Sequence, residues 1–395
     1  MSQKQSQREA TAEVAGPCAG LRVIDMSSLV SGPFCGQILA DLGADVIKVE
    51  SAGSDAMRHM GPSQNGLSAP FVTFNRGKRS LLLDIKQAAG QETLRRLLEK
   101  ADVFLQNSRP GAMEKLGLGY ETLRSLNPQI IYVSISGFGE SGPYSNRPAY
   151  DMIIQGMSGF MPIQGGDGEP TAIRSAVADK ITSIWAANAT LAALLHRERS
   201  GVGQKLEVSM MRAFAAFILP GHIDDETFPL AGLAPVPPAY DVLKTWKTAD
   251  GDVIGLVMQQ SQFDGLCKGL NRSDLLDDPR FATPTLRVTN WLALRAALAE
   301  DVKRLSTDQF IAICAEHSVP FSRVNDVRGF LDDPQSQSQD CIIEIADDEL
   351  GRIRHINHPA VYGRSGVSVG RRAPKLGEHT DEILRELGLW DEGGG

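Results

Sequence analysis

Cysteine is scarce in this 395-residue sequence, and its few cysteines are scattered. They are odd in number and show no C-x-x-C spacing, at positions Cys18, Cys35, Cys267, Cys314 and Cys341. This pattern argues against a disulfide framework and a zinc site, which need thiols at short, regular spacing. His355 and His358 are followed by Pro359 and lack further ligands, and the acidic run 224–226 is better explained as a solvated loop. We expect a reduced cytoplasmic protein without a metal.

Targeting segments and a basic face are also missing. Residues 1–16 are polar and have no apolar signal-peptide core, so we expect a disordered tail. No run of about 18 apolar residues occurs, which argues against a membrane span. The 40 Lys and Arg against 48 Asp and Glu leave a formal charge of −8. Nonspecific nucleic-acid binding needs a basic surface, so we expect neither nucleic acid nor membrane as a partner, although local cations can still bind an anionic ligand.

The sequence does contain a regular alternation of apolar runs and helical stretches. Its 42% apolar and 22% charged residues predict a large core, and its length predicts two or three domains. Predicted strands lie at 21–26, 44–50, 80–85, 101–106 and 130–136, and predicted helices lie at 33–42, at 88–100 and through residue 124. Short strand–helix–strand crossovers force neighbouring strands to be parallel. Residues 17–225 therefore predict a large, Rossmann-like α/β domain.

A long helix is predicted over 180–199, with an apolar stripe made by Ile181, Ile184, Trp185, Leu191, Leu194 and Leu195. Four prolines within 227–238 indicate a linker. Residues 226–328 combine this linker with a smaller α+β domain, in which a hairpin over 242–258 precedes helices near 261–270, 287–305 and 307–317. Residues 329–395 are expected to return and complete the large domain.

Asp179 opens this long helix, and two interpretations fit it. An aspartate here is commonly an N-cap that accepts hydrogen bonds from the first-turn amides, and capping preferences by themselves favour this interpretation. The helix N-terminus also favours an ionised carboxylate, which would make the oxygen a nucleophile at neutral pH. Position 182 is Thr, so the reciprocal capping box is absent. The local sequence leaves both interpretations open.

Two further segments suggest ligand binding. Residues 137–142 match G-x-G-x-x-G after a strand, but Pro143 and Pro148 prevent a helix from opening there. Without a helix N-terminus no site for a pyrophosphate forms, so we interpret the segment as a flexible turn near a site. Residues 75–79 (NRGKR) form a basic turn that is either a solvated loop or a phosphate clamp.

Several motifs together resemble the family III CoA-transferases, which include formyl-CoA transferase and the carnitine CoA-transferase. The resemblance runs from about residue 21 to residue 389. It is carried by Ser31-Gly32-Pro33, by LGADVIKVE over 42–50, by NRGKRSLLLD over 75–84, by Ala101-Asp102-Val103 with Asn107, Pro110 and Gly111, by Ala149-Tyr150-Asp151, and by PKLGEHT over 374–380. It implies an interlocked homodimer, with which the long connections near 200–240 and 320–340 are compatible.

In that family the catalytic aspartate follows the Tyr-Asp/Glu pair and precedes a long helix, and Asp179 matches this position. The resemblance implies transfer of CoA from an acyl-CoA, by family precedent succinyl-CoA, to a free carboxylic acid through an aspartyl-CoA thioester. Acyl-CoA and a small acid are then the partners, with no tightly bound cofactor. Substrate contacts are expected at Tyr150, Asp151, Gly137 and Gly139. The positions that resemble CoA contacts are Val30, Ser31, Leu83, Lys86, Asn107 and Lys115, and Lys78 and Arg109 are added as basic neighbours.

Two departures and three alternatives accompany the resemblance. Ser51 replaces a family arginine that contacts CoA, and the tetraglycine loop that covers the site is absent, so residues 165–166 or 235–238 are expected to shield it. The same fold hosts 2-methylacyl-CoA racemases, which have His-Asp at Tyr150-Asp151, and tyrosine with its pKa near 10 is a poor base. A non-catalytic acyl-CoA-binding protein would not need Asp179. A nicotinamide oxidoreductase is disfavoured by the broken glycine motif.

Overall fold

The computed structural model of the chain describes residues 15–53, 55–166, 168–223, 226–228, 244–367 and 369–390. Among these, the residues up to Gly221 and those from Asp340 onward form one compact unit, and those from His222 to Gln339 form a second. Most of the predicted linker and the predicted tail lie outside the described residues. The first unit boundary, at 221/222, lies close to the predicted 225/226, whereas the second, at 339/340, lies well beyond the predicted 328/329.

The first unit is built on a six-stranded parallel sheet. Its strands are β1 (Arg22–Asp25), β2 (Asp45–Glu50), β3 (Arg79–Leu82), β4 (Val103–Gln106), β5 (Ile131–Ser136) and β6 (Gln204–Ser209). They lie in the order β3-β2-β1-β4-β5-β6, and every neighbouring pair is parallel. This is the doubly wound Rossmann order, which confirms the predicted fold class. The inner strands of such a sheet are covered on both faces, so β4 and β5 appear in the sequence as largely apolar runs.

Helices fill the crossovers between these strands, and one more follows the last strand. They are α1 (Ser31–Asp41), α2 (Ala69–Asn75), α3 (Ala88–Glu99), α4 (Ala112–Lys115), α5 (Tyr120–Leu126), α6 (Asp151–Met157), α7 (Phe160–Gly165), α8 (Val177–Ser200) and α9 (Met210–Ile218). A 3₁₀ turn, Ala56–His59, and a hairpin of Ser63–Gln64 with Leu67–Ser68 precede α2. The helical stretch predicted through residue 124 is divided into α4 and α5, because Gly117 adopts a left-handed conformation (φ 72°).

The face of the long helix α8 that packs against the core consists mainly of small residues. Its buried residues include Ala178, Thr182, Ser183, Ala186, Ala187, Thr190 and Ala193. Ile184, Trp185 and Leu195 are 50%, 42% and 55% exposed, so the predicted apolar stripe was wrong for these three. The small side chains let α8 approach α1 closely, and Ser183 Oγ donates a hydrogen bond to Ser31 O at 2.7 Å. Apolar periodicity alone does not reveal which face of a helix a neighbour covers.

The second unit has a three-stranded antiparallel sheet with helices around it. Strands β7 (Trp246–Lys247), β8 (Asp252–Gly255) and β9 (Phe321–Arg323) lie in the order β9-β8-β7. The β7–β8 pair confirms the predicted hairpin. The helices are α10 (Gln260–Gly269), α11 (Pro284–Thr289), α12 (Trp291–Lys303), α13 (Thr307–Glu316), α14 (Val327–Asp332) and α15 (Pro334–Ser338), with 3₁₀ turns at Ser273–Leu275 and Pro279–Phe281.

Residues 329–339 were assigned to the return segment, and this assignment was wrong. Asp326 caps α14 and Asp333 caps α15 through their side chains, so two short helices prolong the second unit. The return begins with the hairpin of β10 (Ile342–Asp347) and β11 (Gly351–Ile356) and ends in α16 (Thr380–Glu386). Among the described residues, no helix combines the length and apolarity that a membrane span needs.

The segment around α16 covers the edge of the large sheet at β3. The Leu82 N–H donates to Thr380 Oγ1 at 3.1 Å, and the His379 N–H donates to Ser80 O at 3.0 Å. Arg79 on the same strand forms ion pairs with Glu382 and Glu386. An uncovered parallel edge would offer unpaired backbone groups to other chains, so this contact protects the edge that carries β3.

Candidate active site

The carboxyl ends of the parallel strands meet at one edge of the large sheet. Between β1 and β4 the order of the strands reverses direction, and such a switch point opens a crevice in which doubly wound proteins bind ligands. Ser31 begins the helix that follows β1, and Asn107 directly follows β4. The Asn107 amide donates to Ser28 O at 2.7 Å and to Ser31 Oγ at 3.4 Å, and its oxygen accepts from the Ser28 N–H. Asn107 therefore holds the β1–α1 loop in place at the crevice.

Asp179 lies beside this crevice in the first turn of α8. The helix begins at Val177, and its N-cap residue, Ala176, has no side-chain acceptor. The N–H of Asp179 instead donates to Asp151 Oδ1 at 3.1 Å. The interpretation of Asp179 as the N-cap was therefore wrong, because Asp151 on α6 supplies the capping oxygen from another element. The Asp179 carboxylate is left available for chemistry.

The environment of Asp179 makes its carboxyl group harder to ionise than usual. Burial, followed by the negative charge of Asp151, raises the pKa of Asp179 to about 6, and a hydrogen bond from the Ser31 hydroxyl opposes the rise. The helix N-terminus was expected to favour the ionised form, and these two effects outweigh it. With a pKa of about 6, roughly nine-tenths of the carboxyl groups are ionised at pH 7. The group is thus an anion that is more basic than a surface carboxylate.

The predicted substrate-binding residues lie around the start of α6. Tyr150 precedes the helix and is 65% exposed. Gly137 follows β5, and a Cβ atom there would lie 2.1 Å from Ala149 Cβ, so only glycine lets these segments touch. Gly139 has φ 90°, and its N–H donates to Ser136 Oγ at 3.1 Å. The two glycines shape the loop, and no helix follows the G-x-G-x-x-G motif before α6.

The predicted CoA contacts follow the same edge of the sheet. Val30 and Ser31 lie at the start of α1, and both are largely buried. Leu83, just after β3, is also buried, whereas the side chains exposed to solvent are those of Lys86, Arg109 and Lys115. Because all these strands are parallel, the residues that follow them share one side of the sheet. An extended ligand that followed this edge would pass from the β3 end to Ser31.

The structure does not support the predicted contact between Lys78 and CoA. Its side chain is fully buried, and Nζ donates to Asp25 Oδ2, Pro33 O and Asn75 Oδ1, each at 2.8 Å. Burial lowers the pKa of Lys78 to about 8, and the charge of Asp25 opposes this. An ammonium group has three N–H donors, so none remains for a CoA phosphate.

Both interpretations of the basic turn 75–79 were also wrong, because its cations form internal ion pairs. Arg76 binds Asp41, and Arg79 binds Asp45. Buried or partly buried pairs of this kind hold α1, β2 and β3 together. The turn is therefore neither a solvated loop nor a phosphate clamp.

The remaining sequence predictions concern metals, thiols and shielding. No group of three or more His, Cys, Asp or Glu side chains suited to a metal occurs among the described residues. The five cysteines are free thiols. Residues 165–166 end α7 in the first unit, whereas 235–238 and Asp224–Asp225 lie outside the described residues.

The local sequence pointed to Asp179 and the family resemblance to Asp151, but both missed two partners. Ser183 Oγ donates to Ser31 O and lies within hydrogen-bonding distance (2.9 Å) of Asp179 O, so it joins α8 to α1 one turn after Asp179. Gln155, on α6, is 2% exposed and donates to Asp151 Oδ2 at 2.6 Å. The one available signal was the i, i+4 spacing of Asp151 and Gln155, which places both on the same helix face.

Comparison with known proteins places this arrangement in a family. Residues 18–380 match the model of CoA-transferase family III. A protein named succinate–glutarate CoA-transferase from Agrobacterium fabrum is 36% identical, over 94% of this chain and 96% of that protein. A succinyl-CoA–D-citramalate CoA-transferase from Chloroflexus aurantiacus is 34% identical, over 94% of each chain. A crystal structure of a CAIB/BAIF family protein from Brucella suis has a TM-score of 0.84 and 36% identity, covering 94% of this chain and 100% of that one.

The extent of these matches excludes a shared local motif as their cause, since they include both units. A family III CoA-transferase acts on CoA thioesters, and the crevice beside Asp179 is a site at which a doubly wound sheet can bind such a ligand. The chain therefore belongs to family III of the CoA-transferases.

Proposed function

We propose that this CoA-transferase works through a covalent intermediate on Asp179, with succinyl-CoA as donor and a small dicarboxylic acid as acceptor. The observation that carries the proposal is the Asp179 carboxylate itself. It is partly buried at the start of α8, its backbone N–H is bonded to Asp151, and Ser31 donates to its side chain. A basic, oriented carboxylate anion is the group that this chemistry needs as its nucleophile.

The first half of the reaction loads the enzyme. An Asp179 oxygen attacks the thioester carbonyl of the donor, the C–S bond breaks, and a mixed anhydride and a CoA thiolate result. The thiolate then attacks the Asp179 carbonyl, which releases the donor acid as a carboxylate and leaves an aspartyl-CoA thioester. No proton needs to move, because each nucleophile and each leaving group is an anion.

The second half reverses this sequence with the acceptor. The acceptor carboxylate attacks the aspartyl thioester and expels the thiolate, which gives a second mixed anhydride. The thiolate attacks the acceptor carbonyl and restores the Asp179 carboxylate. Oxyanions formed at Asp179 lie near the positive end of the α8 dipole and near the Ser31 hydroxyl, which lowers their energy. Water would hydrolyse the anhydride, so we assign shielding to the loop after α7 at residues 165–166.

The names of the relatives support the choice of substrates. The Agrobacterium protein is named for succinate and glutarate, and the Chloroflexus protein for succinyl-CoA and D-citramalate. These acids are all dicarboxylic. For CoA, we assign contacts to the residues that follow the strands along the sheet edge, namely Val30, Ser31, Leu83, Lys86, Asn107, Arg109 and Lys115, and for the acids to Tyr150, Asp151, Gly137 and Gly139.

We further propose that the enzyme is a homodimer of interlocked chains in the reducing cytoplasm. Large apolar side chains are exposed on three helices that contact one another, α6, α8 and α9, and they include Met152, Ile153, Ile184, Trp185 and Phe217. Exposed apolar patches of this kind mark protein interfaces, and a second copy of the chain is the partner that the family suggests. The five free thiols suit a reducing compartment. Light scattering of the purified protein measures the oligomeric state.

The test of the nucleophile compares Asp179→Asn with Asp308→Asn, an exposed first-turn aspartate of α13 in the second unit. With succinyl-CoA and no acceptor, intact mass should reveal CoA attached to the wild type and to Asp308→Asn but not to Asp179→Asn. Borohydride or hydroxylamine should inactivate only after acyl-CoA is added, and should modify the peptide with Asp179. Near-normal turnover by folded Asp179→Asn, or a label on Asp151, would overturn the assignment.

A further inference from the structure

Gln155 uses both the nitrogen and the oxygen of its side-chain amide in hydrogen bonds next to the candidate active site. It lies one turn after Asp151 on α6 and is 2% exposed. Its Nε2 donates to Asp151 Oδ2 at 2.6 Å, to Ser175 O at 3.1 Å and to Ile173 O at 3.3 Å. Its Oε1 accepts from the Ile173 N–H at 2.8 Å. One buried amide thus joins the start of α6 to the segment that enters α8.

These contacts reach Asp179 by two routes. Through Asp151 they reach its backbone, because Asp151 Oδ1 accepts from the Asp179 N–H while Oδ2 accepts from Gln155. Through residues 173–175 they fix the chain directly before Val177, where α8 begins. Ala176 offers no side-chain cap, so the Asp151 contact replaces the missing acceptor for the first turn.

Resting on the proposed role of Asp179, we propose that Gln155 is a positioning residue that holds the Asp151 carboxylate against the first turn of α8 and so fixes the orientation of Asp179. Each oxygen of the Asp151 carboxylate accepts a hydrogen bond from one N–H group, so the carboxylate is held in a single orientation. The first turn of α8, and with it the Asp179 side chain, then has one arrangement too. A nucleophile must meet the thioester carbonyl at a set angle and distance, so this restriction favours the attack.

The chemistry of the position requires an amide. The neighbouring groups need a donor for Asp151 Oδ2 and an acceptor for the Ile173 N–H at the same time, and among side chains of this length only glutamine supplies both. A glutamate could accept from Ile173, but its charge would repel Asp151. A methionine has nearly the same shape and makes neither hydrogen bond.

The surroundings contain few other charges that could replace this contact. From α8, Asp179 and Lys180 face the region, and Lys180 Nζ donates to Ser175 Oγ at 2.9 Å. From α1, the contact is the Ser31 hydroxyl. The faces of α7 and α9 that pack here are apolar and contribute Phe160, Ile163, Met210 and Phe214.

The experiment compares Gln155→Met and Gln155→Glu with Gln164→Glu, a control at an exposed residue of α7 that adds the same charge without touching Asp151. The Gln155 variants should lose about 10- to 100-fold in kcat and in the rate of aspartyl-CoA formation, as expected for a misplaced nucleophile. KM for the acyl-CoA should stay within about twofold, because the assigned CoA contacts follow other strands. In Gln155→Glu the acid limb of the pH–rate profile should also move to higher pH, since an added carboxylate disfavours ionisation nearby. Gln164→Glu should match the wild type.

A double variant keeps the test valid if a single one folds poorly. Asp151→Asn combined with Gln155→Glu exchanges donor and acceptor, keeps the net charge, and lets residue 151 donate to residue 155. It should be more active than Gln155→Glu alone. Wild-type kcat and pH profile in both Gln155 variants, an equal shift in Gln164→Glu, or a double variant no better than Gln155→Glu would each overturn the role of Gln155. Asp179→Asn runs in the same assay, and only its activity would overturn the proposed function.

Discussion

Replacing Asp179 by Asn should stabilise the folded protein at neutral pH while it abolishes transfer. In the folded protein burial, followed by the charge of Asp151, raises the pKa of Asp179 from 3.8 to about 6. Between these two values the folded state binds more protons than the unfolded state, so stability falls as the pH rises. The penalty is absent below the unfolded pKa and complete above the folded pKa. Asparagine has no charge and avoids it.

The expected gain follows from the two pKa values. Linkage between pKa values of 3.8 and about 6 gives about 3 kcal/mol at pH 7 and about 1.6 kcal/mol at pH 5. Asp179 is partly exposed, and solvent screening reduces these figures to roughly half, so we expect about 1.5 and about 0.8 kcal/mol. In a domain of this size each kcal/mol shifts Tm by about 2 °C, which predicts rises of about 3 °C at pH 7 and about 1.5 °C at pH 5.

Scanning calorimetry of the wild type and of Asp179→Asn at both pH values, without ligand, measures these shifts. Asp308→Asn is the matched control, because Asp308 also lies in a first helical turn but is exposed and paired with Arg323. Its removal should give no gain at either pH. A lower Tm for Asp179→Asn at pH 7, or a gain that does not shrink at pH 5, would refute the account of the Asp179 environment.

Three further outcomes are expected. The wild-type transfer rate should fall about tenfold per pH unit below about pH 6, because only ionised Asp179 attacks, and a pH–rate profile measures this. Lys78→Met should destabilise the protein by about 3–5 kcal/mol, since Asp25 would remain buried without its cation, and Asp25→Asn in the same chain should recover part of the loss in denaturant unfolding. Gly137→Ala should lower Tm and activity, because its Cβ would lie 2.1 Å from Ala149 Cβ, and Ala149→Gly should restore both. If Asp25→Asn recovers no stability in Lys78→Met, the ion pair assigned to Lys78 and Asp25 is contradicted. If Ala149→Gly restores neither Tm nor activity in Gly137→Ala, the close contact of residues 137 and 149 is contradicted.

The order of elements in the large unit could be predicted from the sequence because its signals are local. Strands β1, β2, β4 and β5 are short segments in which at least half of the residues are apolar, and crossovers of this length permit only parallel neighbours. Helix α1 carries Pro33 in its first turn and ends before Gly43, whose φ is 97°. Such signals depend on a few consecutive residues and on backbone geometry. These signals can therefore be recognised without knowing which elements pack against the segment.

The ion pairs around the crevice could not be predicted in this way. In the sequence, Lys78 is a basic residue in a predicted turn. Only the packing of α1 against β1 and β3 brings it into contact with Asp25, which lies 53 positions earlier in the chain. The sequence predicts that Ile184, Trp185 and Leu195 belong to a buried stripe, but the structure exposes them. Periodicity identifies an apolar face of a helix but not the element that packs against it. Burial and partner choice are properties of the assembled chain.

Asp179 illustrates both what the sequence determines and what only the tertiary structure decides. The sequence determined that an aspartate stands at the start of a long helix, and the family motifs before and after it identified its position. It did not determine which group caps that helix, since Asp151 lies 28 residues earlier and reaches Asp179 only when α6 packs on α8. The tertiary structure alone decided the pKa of the carboxyl, because desolvation and the distance between two charges depend on how separate helices meet.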